Sequence, residues 1–108
     1  MNAFLWKLGC LNAGSSVIIA AVGGHKPWEV ERKLIFNSSF NLHLSSSIGI
    51  LLSSFKNASI PGILFCMGLS LFSYTSYYRC FTDNKKYNYL MPPGGTLIIL
   101  AWISLALY

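Results

Sequence analysis

Acidic residues are nearly missing from this chain. Glu29, Glu31 and Asp83 stand against eight Lys and Arg, and charged residues make up only 10% of the 108 positions. An ordinary soluble domain carries roughly 25% charged residues. A small soluble protein has much surface for its volume and must cover it with polar groups. This composition is poorly suited to that, and a soluble helical domain with a weakly charged face is the lesser alternative. The basic excess, a formal net charge of +5, is scattered singly and in pairs between apolar stretches. A nucleic-acid groove needs a basic stripe, so no nucleic-acid partner is expected. Lysines beside apolar spans suit a membrane surface, where anionic lipid attracts them.

Chemistry-bearing residues are equally sparse. Cys10, Cys66 and Cys80 form no CxxC and read as three free thiols, two of them small hydrophobes inside apolar stretches. A zinc site takes about four ligands, or three plus water. Two histidines, His25 and His43, with dispersed cysteines and acids do not supply them, so neither metal nor cofactor is expected. Serines are plentiful, but none has a paired base and an orienting third group. No catalytic residue is expected, and the chain reads as a non-enzyme. A basic start and a small-residue cleavage site are also absent, so the first apolar segment reads as a retained helix and not a signal peptide.

What is present is apolar sequence in long runs. A bilayer core of ~30 Å asks for about 20 apolar residues per helix, with ~17 as a working minimum. Four segments qualify: 3–24, 37–55, 61–78 and 92–108. Pro61 and Pro92 or Pro93 stand where helices begin, a position at which proline sacrifices no needed N–H. The second segment is the weakest. Phe40, Leu42 and Leu44 alternate with Asn41, His43 and Ser45, a strand-like pattern. A lone strand leaves backbone groups unsatisfied in lipid, so a helix is predicted, entering as a tight hairpin with the third. The fold class expected is an all-α membrane protein, four transmembrane helices in an up-down bundle with short loops, forming one domain over 1–108.

Helix contact inside a membrane depends on close packing and interhelical hydrogen bonds. Asn37, Asn41, Ser45, Gly49 and Ser53 recur at steps of four and predict one small, polar ridge. Gly9, Ala13, Ser16, Ala20 and Gly24 suggest a ridge on the first segment, and Gly62, Cys66, Ser70 and Ser73 one on the third. Ordinary composition could produce the same stripes. The turn "GGHKPW" reverses the chain, with Trp28 at headgroup depth. Glu29 to Phe36 shows no clean helical stripe. The loop "DNKKYNY" brings Lys85 and Lys86 beside tyrosines, suited either to anionic lipid such as cardiolipin or to plain solvent. Lys7 and Lys56 fall on the side of the termini. Lys26, Arg32, Lys33, Arg79, Lys85 and Lys86 fall on the other, which is therefore expected to face cytoplasm or matrix.

The stretch "PPGGTLIILAWISLAL" resembles the last helix of the transmembrane protein 256 family, small four-span proteins of bacteria and mitochondria. Pro92, Gly94, Gly95 and Trp102 match the family's pattern, with Ala101 in place of a glycine. "GGHK" is similar to the family's turn after the first helix and keeps Gly23 and His25. "LFSYTSYY" resembles its third-helix Phe-Ser-x-x-x-Tyr stretch. The family's His-x-x-His pair is reduced here to His43, with Ser46 three positions on. The resemblance implies the architecture and, for a eukaryotic member, the mitochondrial inner membrane, where the Lys and Arg count puts both termini in the intermembrane space. It implies no reaction. The expectation is a non-catalytic accessory subunit packing beside a larger membrane complex, such as a respiratory one, and its lipids. The alternative is a small oligomeric transporter or channel with a polar path at Asn41, His43 and Ser45 to Ser47.

Overall fold

The computed structural model describes residues 2–108. Within them lie α1 (Ala3–Gly23), α2 (Val30–Phe55), α3 (Ser59–Thr82) and α4 (Met91–Ala106), with no strand among the described residues. A π-helical turn, Ser70–Tyr74, interrupts α3, and a 3-10 turn, Asn88–Leu90, leads into α4. Three helical stretches are long and apolar enough to cross a membrane: Ala3–Gly23, Ser59–Thr82 and Asn88–Ala106. α2 is not one of them, because serines and His43 dilute its apolar content.

Local sequence accounts for the helix ends. The Asn2 side chain caps α1 by accepting from the Leu5 N–H at 3.1 Å. The Asn2 backbone also exchanges hydrogen bonds with Ser54, tying the start of α1 to the end of α2. Asn57, at φ 55°, takes the left-handed conformation that Asn tolerates better than most residues. Together with the Ala58 N–H bonding to the Ser53 carbonyl at 2.8 Å, it reverses the chain into α3. Asp83, at φ 54°, ends α3 in the same way. Pro92 and Pro93 occupy the first turn of α4.

Two boundaries differ from expectation. α2 begins at Val30, well before position 37, because Glu29 to Phe36 mixes two kinds of inward-facing residue. Phe36 is buried against Gly23 of α1, while Arg32 faces the end of α3. An apolar stripe is therefore not what marks its inner face. α3 likewise runs on past Tyr78 to Thr82, since Arg79 is buried at 2% exposure and does not end the helix.

The packing is a layer. α1 packs on α2, α2 on α3, and α3 on α4, whereas α1 and α4 are not packed against each other. The dimensions, 41 × 26 × 17 Å, fit this: at ~1.5 Å per residue the long axis is the length of α2. Along that axis two apolar cores flank a polar band. One holds Leu5, Ile50, Phe65, Leu69, Ile98 and Ala101; the other holds Phe36, Tyr77 and Cys80. Between them α2 buries Ser39, His43, Ser46 and Ser47.

The expected ridge on α2 divides. Gly49 and Ser53 are buried, Ser45 is half-buried, and Asn37 and Asn41 remain exposed. On α1 the buried seam is Leu5, Gly9, Ser16 and Gly23, so the last three recur every seven residues, as in left-handed helix packing. Several buried serines are tolerated because the hydroxyl donates back along its own helix. Ser39 bonds the Ile35 carbonyl at 2.7 Å, and Ser47 and Ser53 bond the His43 and Gly49 carbonyls at 2.8 Å.

Candidate functional site

The polar band centres on His43. Its ring is fully buried between α2 and α3, with Nδ1 2.9 Å from the Tyr77 hydroxyl. Tyr74 stands edge-on to the imidazole at 5.8 Å, and its hydroxyl donates to Asn12 Oδ1 of α1 at 3.0 Å. Ser73 donates to the Ser39 carbonyl across the same interface at 3.2 Å. Ser73 and Tyr74 belong to the π-helical turn, and Tyr77 comes three residues after its end. Such a turn shifts all later side chains around the helix axis, and here it aims both tyrosines at His43. His43 sits near the middle of α2, away from either end. Its Nε2 and the hydroxyl of Ser46, one turn along, are buried without a hydrogen-bond partner.

An imidazole and a phenol in contact can share and hold a proton. Among the described residues no three His, Cys, Asp or Glu side chains converge on a metal position. His25 lies exposed in the α1–α2 turn, on the order of 20 Å from His43 along the helix axis, so the two histidines do not form one site. Removing the Tyr77 hydroxyl leaves Nδ1 unpartnered as well. Tyr77→Phe should lower stability by about 1–2 kcal/mol, and Tyr74→Phe, at an exposed hydroxyl, by clearly less. Unfolding of the two variants in mixed micelles checks this; equal losses would refute it.

A second cluster closes the end of the layer at the α1–α2 and α3–α4 loops. Arg79 Nη1 donates to Asp83 Oδ1 at 2.7 Å, and its Nη2 lies 3.5 Å from Glu31. Arg32 lies 3.5 Å from Glu29 and 3.9 Å from Asp83, and donates to the Cys80 carbonyl. The Arg32 guanidinium also lies 5.2 Å from the centre of the Trp28 ring. All three acids and both arginines of the chain are thus engaged together. Trp28 is half-buried and packs on Phe36 and Phe81 at 5.4 and 5.2 Å, so it serves this core as well as any interface. Sequence reasoning missed this network. The i,i+4 pairing of Arg79 with Asp83 was the available signal, obscured because the third span was expected to end at Tyr78.

The remaining candidates fall into two groups. Gly49 lies under the Phe65 ring, Trp102 stands edge-on to Phe65 at 4.8 Å, and Gly94 meets Gly68 and Phe72 where α3 and α4 approach. Gly68, which the sequence reading did not single out, is the counterpart of Gly94. Lys85, Lys86, Pro92 and Asn41 are exposed and Gly95 is half-buried; Lys86 Nζ lies 5.3 Å from the Tyr87 ring centre.

A family model described as "Protein of unknown function (DUF423)" matches residues 19–95, well over half of the chain. The chain belongs to the DUF423 family. The matched region contains His43, the π-helical turn, both tyrosines, the Arg–acid network and the Gly68–Gly94 contact. No solved structure matches the chain. Membership of DUF423 brings no reaction with it, and the functional reading rests on the geometry.

Proposed function

We propose that this chain is a four-span integral membrane protein with a non-catalytic role, an accessory subunit packing beside a larger membrane complex and its lipids. The observation that carries this reading is the open edge of the layer. α1 and α4 each bury one seam and leave large apolar residues uncovered, among them Phe4, Leu11 and Ile18 on α1 and Ile99 and Ile103 on α4. The fourth span is supported by position. α2 lies between α1 and α3 along its length, from the Gly23–Phe36 contact to that of Gly9 with Leu51. If its neighbours cross hydrocarbon, α2 crosses with them, and His43 with most of its serines faces protein.

The resemblance to the transmembrane protein 256 family supports the mitochondrial inner membrane as the location and a respiratory assembly as the partner. The excess of Lys and Arg at the α1–α2 and α3–α4 loops supports the matrix side for those loops and the intermembrane space for both termini. There Lys85 and Lys86 would meet anionic lipid such as cardiolipin. A second reading, a small oligomeric transporter or channel, draws on the unpartnered His43 Nε2 and Ser46 hydroxyl, since buried ionisable groups in membranes often mark a polar path.

Gentle solubilisation of native membranes followed by sizing tests these readings. The chain should run with one large complex at fixed stoichiometry. A homo-oligomer whose ion flux falls on His43→Ala would favour transport, and a dispersed monomer would remove both. In mitoplasts an impermeant amine reagent should modify Lys56 before Lys26 or Lys85; the opposite order overturns the orientation.

A further inference from the structure

A cavity of about 160 Å³ opens where α1 ends and α2 begins, lined by Lys26, Lys33, Asn37, Trp28, Phe36 and the backbone at Gly23 and Gly24. Lys33 and Asn37 are four apart on α2 and therefore share a face; Lys26 approaches from the turn. The charge around it is unbalanced. Each acid of the chain is engaged by an arginine, and no lysine among the described residues is paired with a carboxylate. Two lysines and an asparagine thus line one concave site that has no carboxylate among its lining residues.

We propose that this cavity binds the phosphate of an anionic phospholipid headgroup, with Lys26 and Lys33 supplying charge and the Asn37 amide a neutral donor. It rests on the reading that α1 crosses a membrane. Size points to part of a larger molecule: the volume lies below the ~300 Å³ of sites that enclose a whole small ligand. Position points to a lipid and not to free phosphate. The apolar run of α1 ends at this cavity, Trp28 forms one wall at the depth where tryptophan meets headgroups, and Ile18 and Val22, just below on α1, are exposed to receive acyl chains. Phe36 forms an apolar floor, which excludes water from one side of the phosphate and strengthens its attraction to the lysines.

The test uses the full chain in phosphatidylcholine nanodiscs containing a minor fraction of spin-labelled phosphatidylglycerol. Selectivity for the anionic lipid is read as its motionally restricted fraction. Lys26→Gln with Lys33→Gln should reduce that selectivity about tenfold, given the attraction contributed by each surface lysine, and Asn37→Ala should reduce it by a smaller factor. Lys7→Gln with Lys56→Gln removes the same charge from the opposite side of the membrane, far from the cavity, and should cost far less. Equal losses in the two double variants would mean general surface charge and overturn the site, as would no loss in either. Complete displacement of the lipid by inorganic phosphate would reassign the cavity to the free anion. Failure of the wild-type chain to enter the discs would overturn the membrane reading and this site with it, whereas the other adverse results leave that reading standing.

Discussion

Gly94→Val should separate α3 from α4 and cost about 3 kcal/mol, the upper part of the range for overpacked interiors. A Cβ at Gly94 would lie 2.6 Å from the Phe72 backbone nitrogen and 3.0 Å from the Gly68 carbonyl oxygen. Neither is the tip of a flexible side chain, so a rotamer change relieves nothing and the helix backbones must move apart. Phe72 belongs to the π-helical turn, and movement there also disturbs the tyrosines that follow. Gly95 is the control, because the nearest atom to a Cβ there is Phe72 Cδ2 at 3.9 Å. Gly95→Ala should be neutral or slightly stabilising, since Ala is favoured over Gly in a helix interior by about 0.8–1.0 kcal/mol. Unfolding in mixed detergent micelles, followed by tryptophan fluorescence, measures both. Equal midpoints for the two variants would show that the close approach of α3 and α4 is not what holds α4 in place.

Asp83→Asn should cost about 2 kcal/mol through the charge it strands. Arg79 is 2% exposed, and Asp83 is its near partner at 2.7 Å, with Glu31 a longer contact at 3.5 Å. Removing one member of a buried pair costs ~3–5 kcal/mol because the other charge stays uncompensated. Asp83 is itself 59% exposed, so solvent screens part of that interaction and the expectation is lower. Asn keeps the size of the side chain and tolerates the left-handed backbone at φ 54°, so the measurement reports charge and not turn geometry. Glu29→Gln, at a largely exposed carboxylate, should cost under about 0.5 kcal/mol. The difference between these variants should also shrink in high salt. Were Asp83→Asn as mild as Glu29→Gln, the buried Arg79 would have to draw its compensation from elsewhere.

Much of the helical layout was legible because it follows from local rules. Apolar runs, the prolines at Pro61 and Pro92, and scarce charge locate four helices without knowledge of their contacts. The inner face of α2 was only half legible. Steps of four put Asn37 and Asn41 on one ridge with Gly49, but the buried face instead carries Ser39, His43, Ser46 and Ser47. Periodicity alone cannot choose between polar faces when serine occupies several of them. The start of α2 was obscured for a related reason: Arg32 points inward to the α3 terminus, so charge there does not mark a solvated side.

Composition and apolar run length, read from the sequence alone, determine that this chain is helical and that its charge is basic and confined to loops and helix ends. These are additive properties of short segments, set by backbone hydrogen bonding and transfer free energy. Only the tertiary structure decided that His43 meets Tyr77, that all three acids are taken up by two arginines, and that α1 and α4 stay apart. Each depends on the rotation of one helix against another, and in α3 a single π-helical turn resets that rotation. No pattern of residue types in Ser70–Tyr74 announces it, because its stability comes from the neighbours it packs against.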